Sequence, residues 1–560
     1  MRYYTNLIRQ IRVATLFTGC TILFLVACAG QNSNEEVVTV SEPMAEKVLI
    51  TGARIKGETE NKRMKSADQM QYMPMMVMTE SVENREVYQS IETSSVKQTL
   101  NEPVSTFSID VDTGAYANVR RYINHGNLPP GNAVRLDEMI NYFDYQYPVP
   151  KSNKQPFSVA ASLIETPWNK DTHLLRVGLQ GWKKEIKQIP PMNLVFLVDV
   201  SGSMGSDDKL PLVKKSLQML TKHLRDKDRV AMVVYAGSSG IVLESTSGKE
   251  KAKILSAINR LSSGGSTNGE AGINLAYQLA SDNFIKEGIN SVLLATDGDF
   301  NVGISNREML VDLIERQKKQ GVYLNTLGFG TGNYNDYLME QLADKGNGIY
   351  AYIDSVAEAK KVLVDEIASS FMTIAEDVKI QLEFNPNVVK EYRLLGYENR
   401  ELAEEDFNND KVDAGEIGAG HNVTALYEIV LNDSEYTFIP DRRYSKNRLI
   451  KSKLVKSDES KGDSKLDELG FIKLRYKLPG QSKSKMISKV LKKDQLSDDT
   501  ESVYFAAAVA AFAQQLKDDK YLNQFGYDDT IALANRSKGF DPGGRKAEFV
   551  QLVKMAEAMQ

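Results

Sequence analysis

Residues 194–205 read LVFLVDVSGSMG, an apolar run from Leu194 to Val198 followed by Asp199, Ser201 and Ser203 alternating with Val200 and Gly202. Near-continuous apolar character is expected of a strand covered on both faces. Gly202 and Gly205 loosen the turn, and Leu210, Val213, Leu217, Leu220 and Leu224 then recur at helical spacing as a core stripe. One carboxylate and two hydroxyls therefore stand at the carboxyl end of a strand, where open α/β sheets place their sites. Oxygen donors of this kind suit a hard divalent cation such as Mg²⁺.

Further donors lie at other strand ends. Thr267 sits in the Gly-rich stretch SSGGSTNGEAG, and Asp297 follows the apolar run of SVLLATDGD. Across residues 192–372 short apolar runs (194–198, 230–235, 292–295, 322–327) alternate with helical patterns, predicting a parallel sheet wrapped by helices. The pattern D-x-S-x-S with a distant Thr and a distant Asp resembles the von Willebrand factor type A (vWA) domain and its metal-ion-dependent adhesion site. That resemblance implies a doubly wound, Rossmann-like fold with a short antiparallel edge strand near 241–243. It also implies a metal held by Asp199, Ser201, Ser203, Thr267 and Asp297: directly by the serines, directly or through water by the threonine, and mostly through water by the aspartates. Mg²⁺ is the expected ion, with Mn²⁺ or Ca²⁺ as alternatives, and a protein partner's Asp or Glu would supply the last ligand. Gly328, Gly330 and Gly332 follow a strand as G-x-G-x-G but lack the dinucleotide-binding spacing, so they read as a strand-to-helix turn.

Strand-like stretches flank this domain on both sides. Residues 102–191 hold STFSIDVD, FSVAASLIE and HLLRVGLQGW with helices near 116–124 and 135–145, and residues 373–495 hold VKIQLEF, NVTALYEIVL and FIKLRYKL. The charged run 451–465 reads as a solvated loop. Residues 496–560 are helical in pattern, and YFAAAVAAFAQQL, bounded by Glu501, Gln514 and Lys517, reads as a packed helix rather than a membrane span. FSIDVDT, AGHNVTALYEI and GFDPGGRKAEFVQLV resemble the flanking regions of a bacterial vWA family. The expected architecture is an α/β vWA domain inserted in one β-rich flanking domain, with a C-terminal helical region. Asp110 and Asp112 superficially suggest a haloacid-dehalogenase-type phosphatase or an aspartic protease. Gly114 stands where the first needs Thr, and a helical pattern follows where the second needs strands, so the pair reads as a turn capping a helix.

Residues 1–27 carry Arg2, Arg9 and Arg12, then an apolar stretch ending Leu25-Val26-Ala27-Cys28. This is the pattern of a bacterial secretory signal, too short for a membrane span. It resembles a lipoprotein processing box with Cys28 as the lipidated residue. Ala29 rather than Asp after it implies, by resemblance to enteric lipoproteins, an outer-membrane destination in the cell envelope. The other cysteine, Cys20, lies in the segment to be removed, so the mature chain could form no internal disulfide. Residues 28–101 are polar and without sustained period, a disordered tether. Six methionines from Met64 to Met78 could in principle hold Cu(I), but low complexity explains them better. VLITGARIKG resembles a segment near the start of TonB-dependent receptors, though no receptor barrel follows.

The signal segment carries three of the 69 basic residues and none of the 74 acidic ones, so its removal takes the net charge from −5 to −8. Nothing in that balance suggests nucleic acid. His125, His173, His223 and His421 are scattered without metal-ligand spacing, and no activated nucleophile is evident. The expected function is therefore binding without catalysis, with a metal-dependent hydrolase or a structural envelope scaffold as alternatives. The hydrolase would need a general base near the metal, for which only Asp299 can be nominated.

Overall fold

Alternation along residues 192–199 decides the central sheet, because Leu194, Phe196 and Val198 enter one apolar layer while Val195 and Leu197 enter another. A strand with no polar face is stable only between two layers of helices. The computed structural model describes residues 85–151, 154–298, 307–440, 467–496 and 500–560. The signal segment, Cys28, the methionine-rich stretch, Asp299 and the charged run 451–465 lie outside these residues.

In chain order the strands are β1 (Lys97–Gln98), β2 (Val104–Ser108), β3 (Phe157–Thr166), β4 (Asn169–Gly181), β5 (Met192–Asp199), β6 (Arg229–Tyr235), β7 (Ser239–Ser247) and β8 (Ile289–Thr296). There follow β9 (Val322–Gly328), β10 (Tyr350–Tyr352), β11 (Thr373–Phe384), β12 (Val389–Leu395), β13 (Ile417–Gly418), β14 (Asn422–Leu431), β15 (Glu468–Lys477) and β16 (Lys485–Lys492). The helices are α1 (Gly114–Asn124), α2 (Leu136–Asn141), α3 (Leu210–His223), α4 (Lys251–Asn259), α5 (Gly269–Asp282), α6 (Arg307–Lys319) and α7 (Asp336–Lys345). They continue with α8 (Val356–Lys360), α9 (Ile367–Phe371), α10 (Thr500–Leu516), α11 (Tyr527–Ser537) and α12 (Arg545–Glu557).

The vWA sheet has the order β10-β9-β8-β5-β6-β7, parallel throughout except for β7, the antiparallel edge. This is the doubly wound arrangement the sequence predicts, and all five leucines and valines of the α3 stripe are buried against it. The flanking segments build a β-sandwich. One sheet runs β1-β12-β14-β4-β3, and the other runs β13-β11-β15-β16 with β2 also paired to β11. Each sheet mixes strands from before and after the insertion, and their facing side chains, among them Phe107, Leu175, Leu382 and Tyr427, share one core. The vWA domain leaves the sandwich after β4 and returns directly into β11. Helices α2 and α10 pack on the outer face of the first sheet, and α1, α11 and α12 join them in one apolar cluster. Val503 and Phe505 to Ala513 of α10 are fully buried, and its alanines let neighbouring elements approach closely. No helix among the described residues is long and apolar enough to cross a membrane.

Three expectations need correction. The polar stretch taken as tether to residue 101 joins the fold from residue 85: β1 pairs with β12, and Val87 bridges to Asn335. Its polarity misled because its bonds are made by backbone and by Glu86 rather than by apolar burial. The helix expected over 135–145 stops at Asn141, because Tyr142, Phe143, Tyr145 and Tyr147 must all turn inward. Asp110 and Asp112 do not cap α1, whose N-cap Thr113 makes no side-chain cap bond. Asp112 Oδ1 instead accepts from the Tyr350 amide at 2.8 Å, so this turn is bonded to the inserted domain.

Candidate metal centre

β5 delivers Asp199 to the sheet's carboxyl rim, where the chain turns through Ser201 and Ser203 before α3 begins. The Asp199 carboxylate is fully buried. Its Oδ1 accepts from the Ser201 amide at 2.8 Å and its Oδ2 accepts from the Thr296 hydroxyl at 3.0 Å. The parallel register of β5 and β8, which pairs Val198 with Ala295, brings Thr296 there. Burial pushes the Asp199 carboxyl up to about 6; the nearby Asp297 charge adds to this, and the bonds from Ser201 and Thr296 oppose it.

The Ser201 and Ser203 hydroxyl oxygens lie 3.0 Å apart, the first buried and the second exposed. Thr267 is half-buried just before α5. Its loop is tied to the same turn by Gly202 N donating to Gly265 O at 3.0 Å and Gly264 N donating to Val200 O at 2.8 Å. The bonded contact is thus made by backbone upstream of Thr267. Asp297, also fully buried, follows β8 directly.

Sequence reasoning missed the partners of Asp297. Its Oδ2 accepts from Lys209 Nζ at 2.9 Å and from Asn333 Nδ2 at 3.2 Å, and Lys209 Nζ also donates to Asn333 Oδ1 at 3.1 Å. Lys209 is nearly buried, and its stem passes where a side chain at Gly330 would stand. Gly330 has φ +77°, so the middle glycine of G-x-G-x-G admits this lysine. The only sequence signal for Lys209 was a lone cation directly before the apolar stripe of α3.

A second missed element is a strap at residues 85–88. Arg85 N donates to Gly332 O at 2.8 Å and Val87 N to Tyr334 O at 2.9 Å, along the same loop that carries Asn333. Glu86 is its anchor: Oε1 accepts from Arg121 and the Gly332 amide, and Oε2 from Arg121, Tyr122 and Tyr88. Against the upward push of burial, Arg121 and the two phenols hold the Glu86 carboxyl down at about 2.

The donor set fits a hard divalent cation. Adjacent ligands of an octahedral ion with bonds of about 2.1 Å stand about 3.0 Å apart, and the two serine hydroxyls have that separation. Ser201, Ser203 and Thr267 bring no charge, so Asp199 and Asp297 against Lys209 leave a net anionic rim. None of the four histidines stands on a strand end of this sheet. His223 closes the far end of α3, His125 follows α1, His173 lies on β4, and His421 lies between β13 and β14.

Comparison with known proteins identifies the family. Residues 193–366 match the model of the von Willebrand factor type A domain, residues 82–176 a model described as von Willebrand factor, and residues 369–559 the C-terminal region of uncharacterized protein YfbK. YfbK of Escherichia coli (strain K12) is 45% identical over 478 residues, spanning 84% of this chain and 81% of that protein. Human inter-alpha-trypsin inhibitor heavy chain H3 is 24% identical over 271 residues, 44% of this chain and 29% of its own. A solved von Willebrand factor type A structure from Catenulispora acidiphila aligns at 16% identity over 68% of this chain and 86% of its own, with a TM-score of 0.36. At 45% identity over 84% of this chain and 81% of YfbK the family is shown: the chain belongs to the YfbK family of vWA-domain proteins.

Proposed function

We propose that this chain is a divalent-cation-dependent protein-binding module of the bacterial cell envelope, working by coordination without turnover. The observation that carries the reading is the Ser201 and Ser203 hydroxyl pair, 3.0 Å apart on the sheet's rim beside the buried Asp199 carboxylate. Ser201, Ser203 and Thr267 would hold Mg²⁺, with Asp199 and Asp297 acting mainly through water. A bound ion supplies one strong electrophilic position facing solvent. The chain's own residues do the rest. Uncharged hydroxyls leave that position seeking an anion, which a partner's Asp or Glu satisfies, while Lys209 and Asn333 fix the orientation of Asp297. Lipidation at Cys28 would fasten the module to the outer membrane through the preceding polar tether.

The test pairs partner capture with turnover. Envelope proteins crosslinked to the purified chain should be recovered with Mg²⁺, lost with chelator, and lost with Asp199→Ala. Lys360→Ala, at an exposed side chain, should leave capture intact. Calorimetry should show one Mg²⁺ lost from the Asp199 variant. Metal-dependent hydrolysis of phosphoryl or acyl substrates without any metal-dependent partner would overturn the reading in favour of the hydrolase. Cys28→Ser should abolish fatty-acid labelling and release the chain from membranes, and unchanged labelling would refute the anchor.

A further inference from the structure

The turn after β2 meets α2 and α7 in a second group of acids, at the seam between the β-sandwich and the inserted domain. Six carboxylates there are buried: Asp110, Asp112, Asp137, Glu138, Asp336 and Glu340. The cations facing them are Arg135, bonded to Glu138 and Asp336, and Arg400, bonded to Asp110 and Glu340. With every acid ionised, the described residues leave four of these buried negative charges without a counter-charge, and Arg400 is shared further with Asp344. Several kcal/mol per uncompensated ion is the usual penalty, so protons or a cation must balance them.

Glu340 is the carboxylate left most in need of a cation. Its Oε1 accepts from Asn399 at 2.9 Å and Arg400 at 3.2 Å. Its Oε2 has no hydrogen-bond partner among the described residues, and the Arg135 guanidinium stands off at 3.8 Å. The residue is 5% exposed. A cation there would satisfy that oxygen and offset the surplus negative charge. Asp110, Glu138 and Glu340 each bring a carboxylate oxygen within 4.8 Å of the other two. Three oxygens spread evenly around an ion with bonds of about 2.3–2.6 Å stand about 4.0–4.5 Å apart, which lies inside that bound.

We propose that Asp110, Glu138 and Glu340 hold a Ca²⁺ ion that braces the vWA domain against the sandwich. Two ligands come from the N-terminal flank and the third from α7 of the inserted domain, so the ion ties together elements that the chain joins only through β4 and β11. Calcium suits the place better than magnesium, which keeps several of its waters and demands near-octahedral geometry.

The experiment uses the full chain carrying Asp199→Ala, which silences the strand-end site and keeps the two readings separable. Calorimetry should find one equivalent of Ca²⁺, and Glu340→Gln or Glu138→Gln on that background should lose it. Melting should give opposite signs in the two buffers. Relative to its Asp199→Ala parent, Glu340→Gln should melt lower in Ca²⁺ and higher in EGTA, where removing a buried charge helps. Should the cluster variants fail to fold, the parent alone suffices: Tb³⁺ luminescence sensitised by Tyr350, which bonds to Asp336, should appear and be displaced by Ca²⁺. No Ca²⁺ equivalent and no Tb³⁺ signal in the parent would overturn the site. Full retention of Ca²⁺ by both Gln variants would do the same, as would a Glu340→Gln chain more stable in both buffers, which would assign the balancing charge to protons.

Discussion

Lys209→Met tests whether an internal cation and a bound ion share one anionic rim. Methionine keeps the stem that lies across Gly330 and removes only the ammonium, 2.9 Å from the Asp297 carboxylate. Two unit charges at that separation attract by about 6 kcal/mol at an effective dielectric constant near 20. Desolvation offsets part of that, and removing one partner of a buried pair typically costs about 3–5 kcal/mol. For a domain of this size each kcal/mol lowers Tm by about 2–4 °C, so a metal-free Lys209→Met chain should melt about 10 °C lower. Saturating Mg²⁺ should recover much of that loss by supplying the missing positive charge. The assay is differential scanning calorimetry in EDTA and in Mg²⁺, with Asp199→Ala as the metal-blind control. A larger Mg²⁺-induced shift in the methionine variant than in wild type is expected. Equal shifts, or a metal-free variant as stable as wild type, would refute the reasoning.

Three further outcomes follow from the buried titratable groups and the strap. Because the folded Asp199 carboxyl sits at about 6 instead of 3.8, its stabilising contribution is complete below pH 4 and lost as pH rises through 6, about 3 kcal/mol in all. Asp199→Asn should flatten that slope in urea titrations run in EDTA, and an unchanged slope would exclude Asp199 as its source. Burial, aided by the Lys361 charge, lowers His421 from 6.5 to about 3. Folding is therefore favoured above pH 6.5 and weakens by up to about 1.4 kcal/mol per unit as pH falls toward 3; His421→Asn should remove this dependence, and its persistence would point to other groups. Glu86→Ala should free the strap, lowering hydrogen-exchange protection at the Arg85, Val87 and Gly332 amides at least about tenfold, while retained protection would show that backbone pairing alone holds residues 85–88.

Hydrophobic periodicity and strand-end chemistry are local properties, and these the sequence by itself determined. The run 194–198 had to be a doubly covered strand, the stripe from Leu210 to Leu224 had to be a buried helix face, and Asp199, Ser201 and Ser203 had to stand together after the strand because three turn residues share one short stretch. Strand-like flanks on both sides likewise implied an inserted domain, which the two mixed sheets bear out. Contacts between residues far apart in sequence were decided by tertiary structure alone. Lys209 meets Asp297 and Asn333 across 88 and 124 positions, and no local pattern marks a buried lysine whose partners follow other strands. Glu86 looked like tether because its anchors, Arg121 and Gly332, are supplied by a helix and a loop that the polar stretch does not encode. Asp110 and Asp112 read as a helix cap because sequence shows only the helix after them. Their bonds to Arg400 and Tyr350 exist because the sandwich and the inserted domain close over that turn, and only the packed fold can turn neighbouring acids into one buried, charged seam.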